Sequence, residues 1–116
     1  MDFKLIIALV SDDYTDEVIE KARAAGATGA TVITSGRGAG LKEQKGFFGL
    51  TIEGQVDMIL FIVERHLSRV ILEEIAKSGH FDQKSGTGIA MQVNIEDAVG
   101  LTAQLETIED KIEEHL

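Results

Sequence analysis

Short apolar runs alternate with amphipathic stretches along this chain, and their order predicts its elements. Phe3 to Val10 is aliphatic and ends at the polar cluster Ser11-Asp12-Asp13, which predicts a strand. Thr15 is placed to cap a helix opened by Asp16 and Glu17, acids suited to the positive end of the helix dipole. Val18, Ile19, Ala22 and Ala25 follow at helical spacing, and Gly26 is a natural stop. Ala30 to Thr34, short and β-branched, predicts a second strand. Gly36-Arg37-Gly38-Ala39-Gly40 then opens a stretch that runs through Lys42 and Lys45 to Gly46-Phe47-Phe48-Gly49. So many glycines predict a long flexible connection rather than a helix. Val56 to Val63 is the third and most apolar strand. Leu67, Val70, Ile71 and Ile75 mark a second helix, ended by Ser78-Gly79. A loop from His80 to Gly88 leads to a fourth strand, Ile89 to Ile95. Beyond residue 100, Leu101, Leu105, Ile108 and Ile112 form one stripe against Glu106, Glu109, Asp110, Glu113 and Glu114, an acidic amphipathic helix.

The order is βαββαβ plus a C-terminal helix. Two βαβ halves close most simply as an α+β, ferredoxin-like sandwich: a four-stranded antiparallel sheet with both helices on one face. Residues 1–100 form that domain, with a long loop at about 36–52 and a second glycine loop at about 79–88; residues 101–116 form the added helix. Two helices cover one face of a sheet, so the other should turn polar. It does not. Val56, Met58, Leu60 and Ile62 fall on one face of the third strand, and Ile59, Phe61 and Val63 fall beside Asp57 on the other. In the first strand Phe3, Leu5, Ile7 and Leu9 oppose Ile6, Ala8 and Val10. A sheet apolar on both sides predicts an oligomer, or partial cover by the C-terminal helix folding back.

Composition narrows the function. At 116 residues the chain has room for one core. A net charge of −9 argues against sequence-independent nucleic-acid binding. There is no cysteine, so disulfides, thiol catalysis and thiolate metal sites are excluded. The apolar stretch Leu5 to Val10 is too short to span a membrane and lacks a basic flank, so a cytoplasmic protein is expected. His66, His80 and His115 have no metal-ligand spacing, and no Ser-His-Asp set or carboxylate pair stands out. No metal site and no catalytic residue is predicted.

The residues resemble the P-II nitrogen-regulatory family of signal-transduction proteins. The first half carries the resemblance in Lys4 to Leu9, Thr15-Asp16-Glu17-Val18, Gly26-Ala27-Thr28-Gly29-Ala30-Thr31-Val32 and Gly36 to Gly40. In the second half, Ser78-Gly79 and Gly86-Thr87-Gly88 before a strand are similar to the family's second phosphate-binding loop. The resemblance covers about residues 4 to 100 and implies a non-catalytic homotrimer with adenine-nucleotide sites in the clefts between subunits. Thr31 would approach the adenine from a neighbouring chain, with Leu9 and Ile62 near the base. Gly36, Gly38, Gly40, Gly86, Thr87 and Gly88 would bring backbone N–H groups to the phosphates, and Arg37 would supply charge. It also implies that the long loop controls a membrane transporter or a metabolic enzyme, with Phe47 and Phe48 as apolar anchors flanked by Lys42 and Lys45; packing of the two rings on the protein's own body is the equal alternative.

The departures from the family pattern are specific. Cations that would neutralise a triphosphate are replaced by Gln55, Ile89, Gly100 and Thr102, while the second loop gains Asp82-Gln83-Lys84-Ser85, so that Lys84 can restore one phosphate contact. The long loop is shorter and has lost its modifiable tyrosine; the sole tyrosine, Tyr14, lies elsewhere. Fewer cations favour ADP or AMP over ATP–Mg, because each phosphate brings charge to be compensated. Two rivals share the fold: a trimeric divalent-cation tolerance protein, disfavoured by the missing cysteines, and an acylphosphatase-like hydrolase, for which Arg37 and Asn94 are the loose candidates.

Overall fold

The computed structural model describes residues 2–34, 45–47, 50–52, 55–83 and 86–100, of which 45–47 and 50–52 are described by backbone alone. The elements in chain order are β1 (Phe3–Ser11), α1 (Thr15–Ala24), β2 (Thr31–Thr34), β3 (Lys45–Phe47), β4 (Leu50–Ile52), β5 (Val56–Glu64), α2 (Arg65–Ser78) and β6 (Gly88–Asn94). Four strands make the main sheet, in the order β2-β5-β1-β6, and every neighbouring pair is antiparallel. This is the ferredoxin-like arrangement. Its two long central strands are the most apolar segments of the chain, as a doubly flanked position requires.

Register puts the core on one face. Ile6 pairs with Phe61 and Ala8 with Ile59, and these side chains meet Val18 and Ala22 of α1 and Ile71 and Ile75 of α2, all fully buried. On the opposite face Leu9 and Val56 are also buried and form a small cluster with Met58 and Ile89. The rest of that face stays apolar from edge to edge: Leu5, Ile7, Leu60 and Met91 are half-buried, and Ile33, Ile62 and Val93 are exposed. The two-sided apolar sheet is therefore a property of the folded chain.

Both helices end in the same way. At the end of α1, Gly26 (φ 122°) donates to Arg23 O and Ala27 to Ala22 O, a Schellman motif closed by the glycine that the sequence places there. At the end of α2, His80 N–H bonds Lys77 O and Phe81 N–H bonds Ala76 O, so the left-handed position falls on His80 (φ 59°), one residue beyond Gly79. The start of α2 is capped by the buried Glu64, whose Oε2 accepts from His66 N–H at 2.6 Å.

Several expectations need correction. Thr15 does not cap α1. It is the first helical residue, Tyr14 stands at the cap position and makes no side-chain capping bond, and the Thr15 hydroxyl turns inward to Asp57. Val70 leaves the buried stripe of α2 and is 51 % exposed, because it sits one residue, about 100° of rotation, from Ile71. The long connection also contains a short antiparallel ladder, Lys45↔Ile52, Gly46↔Thr51 and Phe47↔Leu50, where aromatic and β-branched residues outweigh the glycines around them. The C-terminal helix expected at 101–116 lies outside the described residues.

Phe61 and Val70 give a direct test of this packing. Phe61→Ala is expected to cost about 3–5 kcal/mol in urea unfolding through lost burial and a residual cavity, whereas Val70→Ala should stay within about 0.5 kcal/mol.

Candidate functional site

One end of the sheet gathers the predicted loops. β2 ends at Thr34, whose register partner is Asp57 at the start of β5, and the long connection departs from there. Beside it, Ser11 N–H donates to Thr87 O at 2.8 Å and Asp12 N–H to Gln55 O at 2.9 Å. Val10 pairs with Gly88, so the second glycine loop re-enters the sheet at the same end. Thr34 and Gly88 stand on opposite edge strands, three strand spacings or about 14 Å apart. The two loops thus share an end of the sheet while leaving from its two sides.

The second loop is closely tied over residues 79–83. His80 Nδ1 lies 3.0 Å from Gln83 Oε1, and the His80 ring meets the Tyr14 ring edge-on with centroids 5.1 Å apart. The Thr87 hydroxyl donates to His80 O at 3.2 Å, and Thr87 is buried. Gly86 has φ 84°, a conformation that suits glycine and exposes backbone. Gly88 is different. A Cβ there would stand 2.5 Å from Leu9 O and 2.5 Å from the Phe81 ring, and one at Gly79 would also strike that ring. Phe81 thus occupies the space beside both glycines; its ring accounts for the missing side chain at Gly79, and the ring together with Leu9 O accounts for it at Gly88.

The remaining candidates divide by position. Leu9 is fully buried beside Met58 and Ile89 at the loop end. Thr31 and Ile62 pair with Leu60 and Leu5 and are exposed, lying two and four residues along β5 from Met58, Leu9's own partner. A single chain therefore does not bring Thr31 and Ile62 to the second loop. Gly36, Arg37, Gly38, Gly40, Lys42, Phe48 and Lys84 lie outside the described residues; Lys45 and Phe47 are placed by their backbone in β3. Asn94 pairs with Lys4 at the far end of β6, remote from Thr34. Among the described residues no three of His, Asp and Glu come together as metal ligands.

Next to the second loop a groove of about 620 Å³ runs between α2 and β6, with Leu72, Ala76, Phe81 and Ile89 among its lining and Arg69 and Lys77 at its rim. Both cations are already paired, Arg69 with Glu73 at 3.1 Å and Lys77 with Glu74 at 3.3 Å. Sequence reasoning missed Phe81 and Asp57. The signal for Asp57 was present, as the lone acid within the apolar run Val56 to Val63.

Comparison with known proteins agrees with this architecture. The family model of the nitrogen regulatory protein P-II matches residues 3–104. Among solved structures, a protein from Thermus thermophilus described as PII-like signaling superposes with a TM-score of 0.57 at 23 % identity, over 82 % of this chain and 91 % of that one. No curated protein matches in sequence.

The packing explanation of Gly88 makes a measurable statement. Gly88→Ala should destabilise by about 1–3 kcal/mol through overpacking, and combining it with Phe81→Ala in chemical unfolding should cost less than the sum of the two single changes.

Proposed function

The chain belongs to the nitrogen regulatory protein P-II family, and from that premise we propose that it is a non-catalytic signalling protein that senses an adenine nucleotide. In this reading three chains assemble through the apolar sheet faces, and the nucleotide lies in the clefts between them. The observation that carries the proposal is the shared sheet end: the root of the long connection at Thr34 and the loop Gly86-Thr87-Gly88 sit at one end of the same sheet. Assembly would supply what one chain lacks, because the exposed Thr31 and Ile62 can reach a second loop only on a neighbouring copy.

The proposed ligand is ADP or AMP rather than ATP–Mg. Gln55, Ile89, Gly100 and Thr102 leave few cations for a triphosphate, with Arg37 and Lys84 as the proposed phosphate partners. Nucleotide binding would alter the long connection and with it the affinity for a target, in the manner of a ligand that prefers one conformation. A membrane transporter or a metabolic enzyme is the proposed target, reached from the cytoplasm. Among the described residues no helix is long and apolar enough to cross a membrane.

Calorimetric titration with AMP, ADP, ATP–Mg, cyclic AMP and S-adenosylmethionine tests the ligand. AMP or ADP should bind most tightly; tightest binding of ATP–Mg would reverse the charge argument, and no binding at all would end the nucleotide reading. The double variant Phe47→Ala, Phe48→Ala should keep nucleotide affinity and lose capture of the target, whereas a loss of folding would assign both rings to the protein's own packing.

A further inference from the structure

Asp57 is the one acid in the helix-facing row of β5, which otherwise presents Ile59, Phe61 and Val63 to the core. It is 8 % exposed. Its Oδ2 accepts the Thr15 hydroxyl at 2.7 Å, across 42 residues of sequence. Its Oδ1 is buried and has no hydrogen-bond partner among the described residues. An ionisable oxygen shielded from water without a donor is costly, so such an atom calls for a function.

The sheet limits which neighbours can meet that oxygen. The register partners of Asp57 are Val10 on β1 and Thr34 on β2. Valine offers no side-chain donor. Thr34 does, and directly opposed residues of an antiparallel pair have Cβ atoms about 4.5–5.5 Å apart on the same face. Thr34 is exposed and stands directly opposite Asp57, so its hydroxyl is the side-chain donor that the register offers to the carboxylate. It is also the last residue of β2, at the root of the long connection.

We propose that Asp57 is a positioning residue for that root: Oδ2 holds Thr15 at the start of α1, and Oδ1 receives the hydroxyl of Thr34. The bridge ties the direction in which the chain leaves β2 to α1. It explains why an acid is kept in an apolar row, and why Thr15 turns inward instead of capping its helix. The inference rests on the proposed signalling function only in giving the connection a task; the hydrogen bond itself is tested separately.

The test is limited trypsin digestion of the full chain, following first cleavage at Arg37, Lys42 and Lys45 by mass spectrometry, with thermal melting in parallel. Thr34→Val removes the hydroxyl at nearly constant shape, and Thr34→Ser keeps it. Thr34→Val should be cut at least about three-fold faster than the wild type through easier local opening and should also melt at a lower temperature, because Oδ1 is left without its donor. Thr34→Ser should be cut at the wild-type rate. In an Asp57→Ala background Thr34→Val should add no further acceleration. Lost packing alone, with no bridge, would accelerate cleavage as much in the Asp57→Ala background as in the wild type. Wild-type cleavage of Thr34→Val, or full acceleration without Asp57, overturns the bridge. If Asp57→Ala fails to fold, the Thr34→Val and Thr34→Ser pair decides alone. The digestion is run on nucleotide-free protein, so a failed titration would remove the proposed function and leave this result standing.

Discussion

A four-stranded sheet has two faces, and two helices can cover only one of them. Everything else in this molecule follows from that geometric limit, because β1 and β5 are apolar on both sides. On the helix side, Ile6, Ala8, Ile59 and Phe61 find Val18, Ala22, Ile71 and Ile75 and are sealed from water. On the other side the same strands present Leu5, Ile7, Leu60 and Ile62, joined by Ile33 on one edge and Val93 on the other. Burial of that second face is a hydrophobic gain still open to the described domain. The proposed assembly uses it, and would carry the exposed Thr31 and Ile62 of one chain toward the loops of the next.

The end of the sheet shows how a glycine-rich loop can have two kinds of glycine. Gly86 takes a backbone conformation that a side chain would strain. Gly88 and Gly79 make room for the Phe81 ring, which fixes the end of α2 against the re-entry of β6. His80, held by Tyr14 and Gln83, and Thr87, bonded back to His80 O, complete a stiff frame.

Much of the architecture was legible in the residues. Strand periodicity placed the core and open faces correctly, since alternation in β1 and β5 is decided by side-chain chemistry alone. Gly26 announced the end of α1 because no other residue suits φ 122° as well. What escaped depends on contacts distant in sequence. Thr15 reads as a cap from its neighbours, yet its hydroxyl is claimed by Asp57, 42 residues away. The Phe81 ring and Leu9 O, which leave no space for a side chain at Gly88, are likewise invisible to a reading of the glycine loop alone. The ladder of β3 and β4 was hidden because Gly46 and Gly49 signal a turn as strongly as Phe47, Leu50 and Ile52 signal strands. Of the candidate site, the residues told that two loops leave the sheet; that both leave at the same end follows from the register of Thr34 with Asp57 and of Val10 with Gly88.

The central claim, that the uncovered sheet face is satisfied by other copies of the chain, is tested most directly by molar mass. Size-exclusion chromatography with light scattering on the nucleotide-free protein should give three times the chain mass of 12.6 kDa. A single species at 12.6 kDa, stable at low micromolar concentration, would mean that the face is covered within one chain and would contradict the account.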